Sequence, residues 1–397
     1  MPETTVVRGS SERAANTDRV LRAIGFDGAP TQAQLREATG LSRPTLTAIL
    51  GELVADGWVR SRPGTNPGRT GRPARTFTVD AGVLLVAGVD VGVHTARAVV
   101  ADAAGTVRAS HEADLPPGCP GEERLARVQR VIGQAAARAA ADVEDLAALC
   151  VGVPGIVDGT GRIRRSTVVP DWSGFHVGRA LEQWTGKPVD VVNDANLAAV
   201  GEHWAGAARM AQDVVYLHVG RRTSAGLLID GKVHAGRTGG AGEIGSIPAL
   251  FFDTPTVLLG DGASQLDPRI PEVFATAAAG DRSARRRVEA FARHLALDVE
   301  TLVHVIDPDV VVLGGGVSRA GEALLDAVRR HVPTDDVAPP LALGELADAA
   351  VTLGGVRRAL LLAARSAPRL RPLLTTTRTA PAARAAAGPT TATEGIA

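Results

Sequence analysis

The chain has 397 residues, 45% of them apolar, with 43 basic and 43 acidic side chains and so no net charge; this suits two or three domains with a sizeable core. No apolar run approaches the roughly 18 residues of a membrane span, and the opening Met-Pro-Glu-Thr-Thr lacks the basic and apolar regions of a secretory signal. Two cysteines, Cys119 and Cys150, exclude a disulfide framework and a cysteine-rich zinc site and fit a reduced, cytoplasmic setting.

Residues 1–15 are polar and expected to be flexible. Residues 16–79 read as one unit with three short helices. The first is predicted from about Asp18 to Phe26, with Val20, Leu21 and Ile24 on one face. The second runs from about Gln32 to Thr39, with Thr31 as N-cap and Gly40 as its stop. The third follows the N-cap candidate Ser42 and has the clearest period in the chain. Leu46, Ile49, Leu50, Leu53 and Val54 form a single apolar stripe. The face opposite its start shows Arg43, Pro44, Thr45, Thr47 and Ala48. Short side chains there suit close approach to base edges, with Arg43 in reach of a guanine or a phosphate. Helix, glycine-containing turn, helix is the arrangement that seats a recognition helix in the major groove.

A turn at Asp56-Gly57 leads to a predicted strand at Trp58–Arg60, a loop over 63–73 and a second strand at Thr76–Val79, which together make a wing. From Trp58 to Thr76 there are five arginines (Arg60, Arg62, Arg69, Arg72, Arg75) and no acid. Because the whole chain has only two lysines, the clustering carries the signal, not the choice of arginine. Gly68–Pro73 resembles an arm that lays arginines in a narrow minor groove. Ser42, Arg43, Pro44, Thr45, Thr47, Arg60, Arg62, Arg69 and Arg72 are therefore the candidate contacts to double-stranded DNA. The competing reading is a helical dimerisation unit with a basic hairpin; helix order, turn and wing together favour DNA.

The region 80–364 carries a weak internal repeat. Leu84–Val89, Ala96–Ala101 and the turn Asp102–Gly105 are echoed by Val214–Val219, Gly226–Ile229 and the turn Asp230-Gly231. Strands alternating with helices indicate an α/β domain, here of two similar lobes with a cleft between them. Residues 365–397 are rich in Thr, Ala and Pro and are expected to be a disordered tail.

Five segments carry a family resemblance: Asp90-Val-Gly92, Val151-Gly-Val-Pro-Gly155, Asn193-Asp-Ala-Asn196, Gly239-Gly-Ala-Gly-Glu-Ile-Gly245 and Asp307-Pro-Asp-Val-Val-Val-Leu-Gly-Gly-Gly-Val317. Their order and spacing resemble the ROK family of repressors, open reading frames and kinases. Leu41-Ser-Arg-Pro-Thr45 and Gly71-Arg-Pro73 resemble its repressor branch. The resemblance spans about Asn16 to Ala364. It implies a winged helix-turn-helix followed by a two-lobed α/β, actin-like (ribonuclease-H-like) sugar-kinase fold. It also implies a homo-oligomer, dimer or dimer of dimers, on an inverted-repeat operator, and a sugar or sugar phosphate as effector.

The family likeness makes Asp194 the position of the kinase general base, Asn193 and Glu243 sugar contacts, and the turn at Gly155 a close approach of backbone to sugar. Asn193 and Asp194 also suit a helix cap, and Glu243 a solvated loop acid. Ser246 stands where the family has a His that binds sugar and ligates zinc, and no Cys-x-Cys-Gly-x-x-Gly-Cys motif follows; no metal or cofactor is expected. The first phosphate turn reads Asp90-Val-Gly-Val-His94, and the second reads Gly220-Arg-Arg-Thr-Ser-Ala-Gly226 in place of alternating glycines. Bare backbone N–H groups are what a phosphate needs, so the expectation is a regulator and not an enzyme. Arg221 and Arg222 read as solvent-facing arginines or as an anion site. A kinase with a DNA-binding domain, and a constitutive DNA-binding protein with a vestigial sugar domain, are the alternatives.

Overall fold

In the computed structural model, which describes residues 4–64, 74–116, 118–220, 222–250, 253–259, 269–332 and 339–375, the chain opens with α1 (Thr4–Ile24), α2 (Gln32–Thr39) and α3 (Arg43–Ala55). The antiparallel pair β1 (Val59–Pro63) and β2 (Arg75–Val79) follows. The caps read from sequence are in place. Thr31 and Gln34 close a reciprocal capping box, Gly40 takes a left-handed φ of 68°, and Ser42 Oγ accepts the Thr45 N–H. Two expectations change. The first helix begins at Thr4 instead of near Asp18, so the segment expected to be flexible is helical; Arg13 pairs with Glu52 on α3 and anchors this extension. Val54 lies 39% exposed although the other members of the stripe are buried, because at 3.6 residues per turn it falls at the edge of the stripe while Leu53 in the same turn faces the core.

The first lobe contains β3 (Leu85–Val91), β4 (Thr95–Asp102), β5 (Val107–Asp114), α4 (Gly121–Arg138), β6 (Leu146–Val153), the hairpin β7 (Ile156–Val157) and β8 (Ile163–Arg165), α5 (Val177–Thr185), β9 (Val189–Asn193) and α6 (Asp194–Ala205). The second contains β10 (Val214–Val219), β11 (Thr223–Ile229), β12 (Lys232–Val233), α7 (Thr254–Leu259), α8 (Arg269–Ala278), α9 (Arg282–Ile306), β13 (Val310–Gly314), α10 (Glu322–Arg329) and β14 (Leu341–Leu343), and the chain closes with α11 (Ala350–Ala363) and α12 (Arg371–Leu374). The two five-stranded sheets run β5-β4-β3-β6-β9 and β12-β11-β10-β13-β14. In each, an antiparallel meander is extended by two parallel strands. The sequence repeat is therefore a repeat of sheet topology. Within the Gly220–Gly226 segment read as a turn, Thr223 onward is strand β11; Arg221 lies outside the described residues.

α6 and α11 join the lobes. α11 packs on β3 and β6, α6 packs on β10 and β11, and the two cross in the most extensive helix–helix contact among the described residues. The crossing is close because it is lined by glycine. A Cβ on Gly354 would lie 1.8 Å from the Leu197 carbonyl oxygen, and one on Gly201 would lie 2.2 Å from that of Ala350.

Part of the expected disordered tail is ordered. Leu370, Leu373 and Leu374 are buried, α12 packs on α1, Arg369 pairs with Asp56 at the end of α3, and Arg357 Nη1 donates to the Leu374 carbonyl at 2.9 Å. Three leucines in five residues supply the burial that the surrounding Thr, Ala and Pro lack. One apolar core consequently runs from Val20 and Leu50 through Val86 and Val356 to Leu373. Residues 376–397 lie outside the described part.

Gly354→Ala is expected to destabilise the chain by at least the ~1–3 kcal/mol typical of overpacking, because backbone on the facing helix must move. A Leu373→Ala variant is expected to lose ~2–5 kcal/mol. Urea unfolding of both checks this; an unchanged midpoint for Gly354→Ala would contradict the close crossing.

Candidate functional site

Two surfaces concentrate the residues singled out from sequence. On the first, Ser42, Arg43, Pro44, Thr45 and Thr47 are all exposed at the start of α3. Several of their hydroxyls have local work. Ser42 Oγ and Thr45 Oγ1 are 2.8 Å apart, and Thr47 Oγ1 donates to the Arg43 carbonyl at 2.8 Å while accepting from Gln32 Nε2 at 2.7 Å. Gln32, which the sequence pattern did not single out, thus ties α2 to α3. Arg43 stands exposed at the first turn with no ion pair among the described residues.

Arg60 differs from expectation: its Nε donates to Asp80 Oδ2 at 2.6 Å, so its charge is engaged within the chain. The pairing of Arg60 with Thr78 across the wing brings Asp80 within reach, although it lies beyond the acid-free stretch. Arg62 is exposed on β1, and Arg69 and Arg72 lie outside the described residues.

The second surface is a cavity of about 120 Å³ between the lobes, lined among others by Gly155, Arg165, Asn193, Asp194, His218, Arg222, Ser224, Glu243 and Ser246. All five cleft candidates are thus brought together. Asn193 takes the helix-cap role considered for it and also braces the cleft. It N-caps α6 by accepting the Asn196 N–H at 3.1 Å, and its Nδ2 donates to the Gly155 carbonyl at 3.1 Å. Gly155 has φ 134°, and a Cβ there would stand 2.5 Å from the Arg165 carbonyl oxygen, which explains the glycine. Asp194 Oδ1 accepts the Ala195 N–H at 2.8 Å. Arg165 and His218 were not read from sequence. One lies on a three-residue strand without periodicity and the other within an apolar strand, so neither position carries a local signal.

A second cavity of about 210 Å³ adjoins the first, and Gly92, Val93, Asp194 and His218 border both. His94, Asp90, Tyr216 and the ion pairs Arg97–Glu112 and Arg319–Asp348 line it. The β3–β4 turn between the cavities is held by the buried Arg124, whose Nη1 donates to the carbonyls of Gly92 and Val93 at 2.9 and 3.1 Å.

Desolvation dominates the electrostatics. Burial, then repulsion from Asp194, pushes Asp90 up to about 7, against the pull of Arg97. Burial raises Asp194, with His218 opposing. Burial and the Asp194 charge raise Glu243, with Arg165 opposing. Three carboxyls that disfavour their own charge are ready partners for hydroxyl donors.

A model of the ROK family matches residues 86–256 and 263–340, and a model of the MarR family matches residues 19–70. The xylose repressor of Caldicellulosiruptor bescii is 23% identical over 345 residues, covering 79% of this chain and 86% of that protein. A solved ROK family transcriptional regulator, a homolog of the Escherichia coli MLC protein, superposes with a TM-score of 0.65 at 20% identity and covers 92% of this chain and 98% of its own. The ROK hexokinase of Thermus thermophilus superposes with a TM-score of 0.58 at 30% identity over 70% of this chain and 99% of its own. The regulator's coverage takes in the N-terminal helices as well as the lobes. The arrangement is therefore a winged helix-turn-helix on an actin-like sugar-kinase fold. No helix among the described residues is long and apolar enough to cross a membrane.

The raised Asp90 has a consequence for stability. In the folded chain it holds its proton up to about pH 7, whereas an unfolded Asp releases it near 3.8. Its contribution is full below 3.8 and is lost as pH rises through 7. Asp90→Asn is expected to melt above the parent chain at pH 8, with a gain that shrinks towards pH 4; thermal melts across that range measure it, and a pH-independent difference would refute it.

Proposed function

The chain belongs to the ROK family, and from that membership we propose how its parts divide the work. It is a DNA-binding transcriptional regulator of the sugar-responsive repressor type. Arg43 and Pro44 at the exposed start of α3, with Arg62 and the wing arginines Arg69 and Arg72, make the DNA contacts. The sugar lies in the cleft against Gly155, Asn193, Asp194, Glu243 and Ser246. A homodimer, or a dimer of dimers, sets two recognition helices on an inverted repeat about one helical turn apart.

The observation that carries this reading is physical continuity between cleft and DNA face. α6 starts at the cleft residue Asp194, crosses α11 at contact distance, and α11 leads to the segment whose Arg369 grips Asp56 at the end of α3. A ligand that changes the angle between the lobes thus reaches α3 through packed elements, provided it binds one state better than the other.

The same cleft favours binding over phosphoryl transfer. The first phosphate turn carries Val93 and His94 side chains, and its Gly92 N–H already donates to the Thr95 carbonyl at 2.9 Å, so this turn is poorly suited to offer bare N–H groups to a phosphate. Phosphoryl transfer rests on positioning and charge stabilisation, so Asp194 without such turns serves as a hydrogen-bond acceptor.

The chain is expected to select an inverted repeat from a random-sequence DNA pool. Arg43→Ala should weaken the selected site by ~1–3 kcal/mol and random DNA by less; equal losses would make Arg43 a phosphate contact. ADP release over a sugar panel should stay at background. Turnover that disappears in Asp194→Asn would overturn the binding-protein reading.

A further inference from the structure

The adjoining cavities constrain the size and charge of the effector. Ligand pockets typically begin at about 300 Å³. Neither cavity reaches that alone, at about 120 and 210 Å³, and the two together do. They adjoin across Gly92, Val93, Asp194 and His218, which border both. The buried Nδ1 of His218 has no hydrogen-bond partner, a polar atom left open beside the junction.

The lining of the second cavity also has a definite character. Arg97 Nε donates to Glu112 Oε2 at 2.6 Å, and Arg319 Nη2 donates to Asp348 Oδ2 at 2.7 Å. Each pair is neutral as a unit and offers donors and acceptors side by side, which matches a hydroxyl-rich neutral group. An anionic group at the junction would instead face the buried carboxyls of Asp90 and Asp194, both raised first by burial and Asp90 also by the Asp194 charge.

We propose that the effector is a neutral disaccharide or comparable glycoside that spans both cavities. One ring sits against Asn193, Asp194 and Glu243, and the second occupies the space bounded by His94, Arg97 and Arg319. This rests on the reading of the cleft as a sugar site and adds the size and charge of the ligand. The space that a kinase would leave for nucleotide phosphates becomes the second sugar subsite.

Isothermal titration calorimetry of the full chain tests this with glucose, xylose and N-acetylglucosamine, their 1,4-linked dimers, and glucose 6-phosphate. One dimer is expected to bind at least tenfold more tightly than its own monomer. Arg319→Ala, which removes a half-exposed ion pair, and His94→Trp, which fills the second cavity, should each weaken the dimer at least tenfold more than the monomer; melting temperatures confirm that both variants fold. A monomer that binds as tightly as its dimer overturns the two-subsite proposal and leaves the sugar cleft standing. Tighter binding of glucose 6-phosphate overturns the neutral extension. Absence of heat with every sugar overturns the sugar cleft and the extension together.

Discussion

The close crossing of α6 and α11 is the contact on which both the cleft and its link to the DNA face depend. Leu197 O on α6 approaches Gly354 so nearly that a single carbon would clash, and Ala350 O does the same to Gly201. Glycine is unfavourable within helices by roughly 1 kcal/mol each. Here that cost is offset by backbone-to-backbone packing that larger residues would hold apart. Because the helices touch, their first residues fall on the same cleft: Asp194 opens α6 and Ala350 opens α11, and both border the second cavity. Partial positive charge at helix N-termini then faces a cleft rich in carboxyls.

That cleft combines burial with unbalanced charge. Asp90, Asp194 and Glu243 are all driven towards their neutral forms, while neighbouring arginines are mostly engaged in pairs at its edge. A hydroxyl-bearing ligand meets acceptors there without bringing further negative charge. The same pattern of engaged and exposed arginines organises the DNA face. Arg13, Arg60 and Arg369 hold elements together, whereas Arg43 and Arg62 remain on the surface. In a chain whose bases are almost all arginine, structure and not residue type separates these groups.

Local signals were legible wherever the physics was local. Thr31, Gly40 and Ser42 act as the caps their types imply, since each role involves backbone groups within four residues. The duplicated strand–turn–strand pattern became two sheets of the same topology. The pairing of Arg60 was not legible because its partner Asp80 comes from the far side of the wing. Val54 lies at the edge of its stripe, and helical period alone does not say how wide a stripe the core will cover. Arg165 and His218 had no signal at all, being placed by lobe packing.

The class of fold, the order of its domains, the helix caps, and the set of Gly155, Asn193, Asp194, Glu243 and Ser246 in one cleft could all be read along the chain. The elements and caps follow from periodicity and turn chemistry, and the cleft set from the resemblance of the motifs to the ROK family. That the two cavities adjoin, that the first helix reaches back to Thr4, and that Leu370 to Leu374 return to the N-terminal unit emerged from packing alone. Each of these depends on contacts between residues distant in the chain, Arg369 with Asp56 being the clearest case. Such contacts are set by how whole elements pack, and no window of sequence contains both partners.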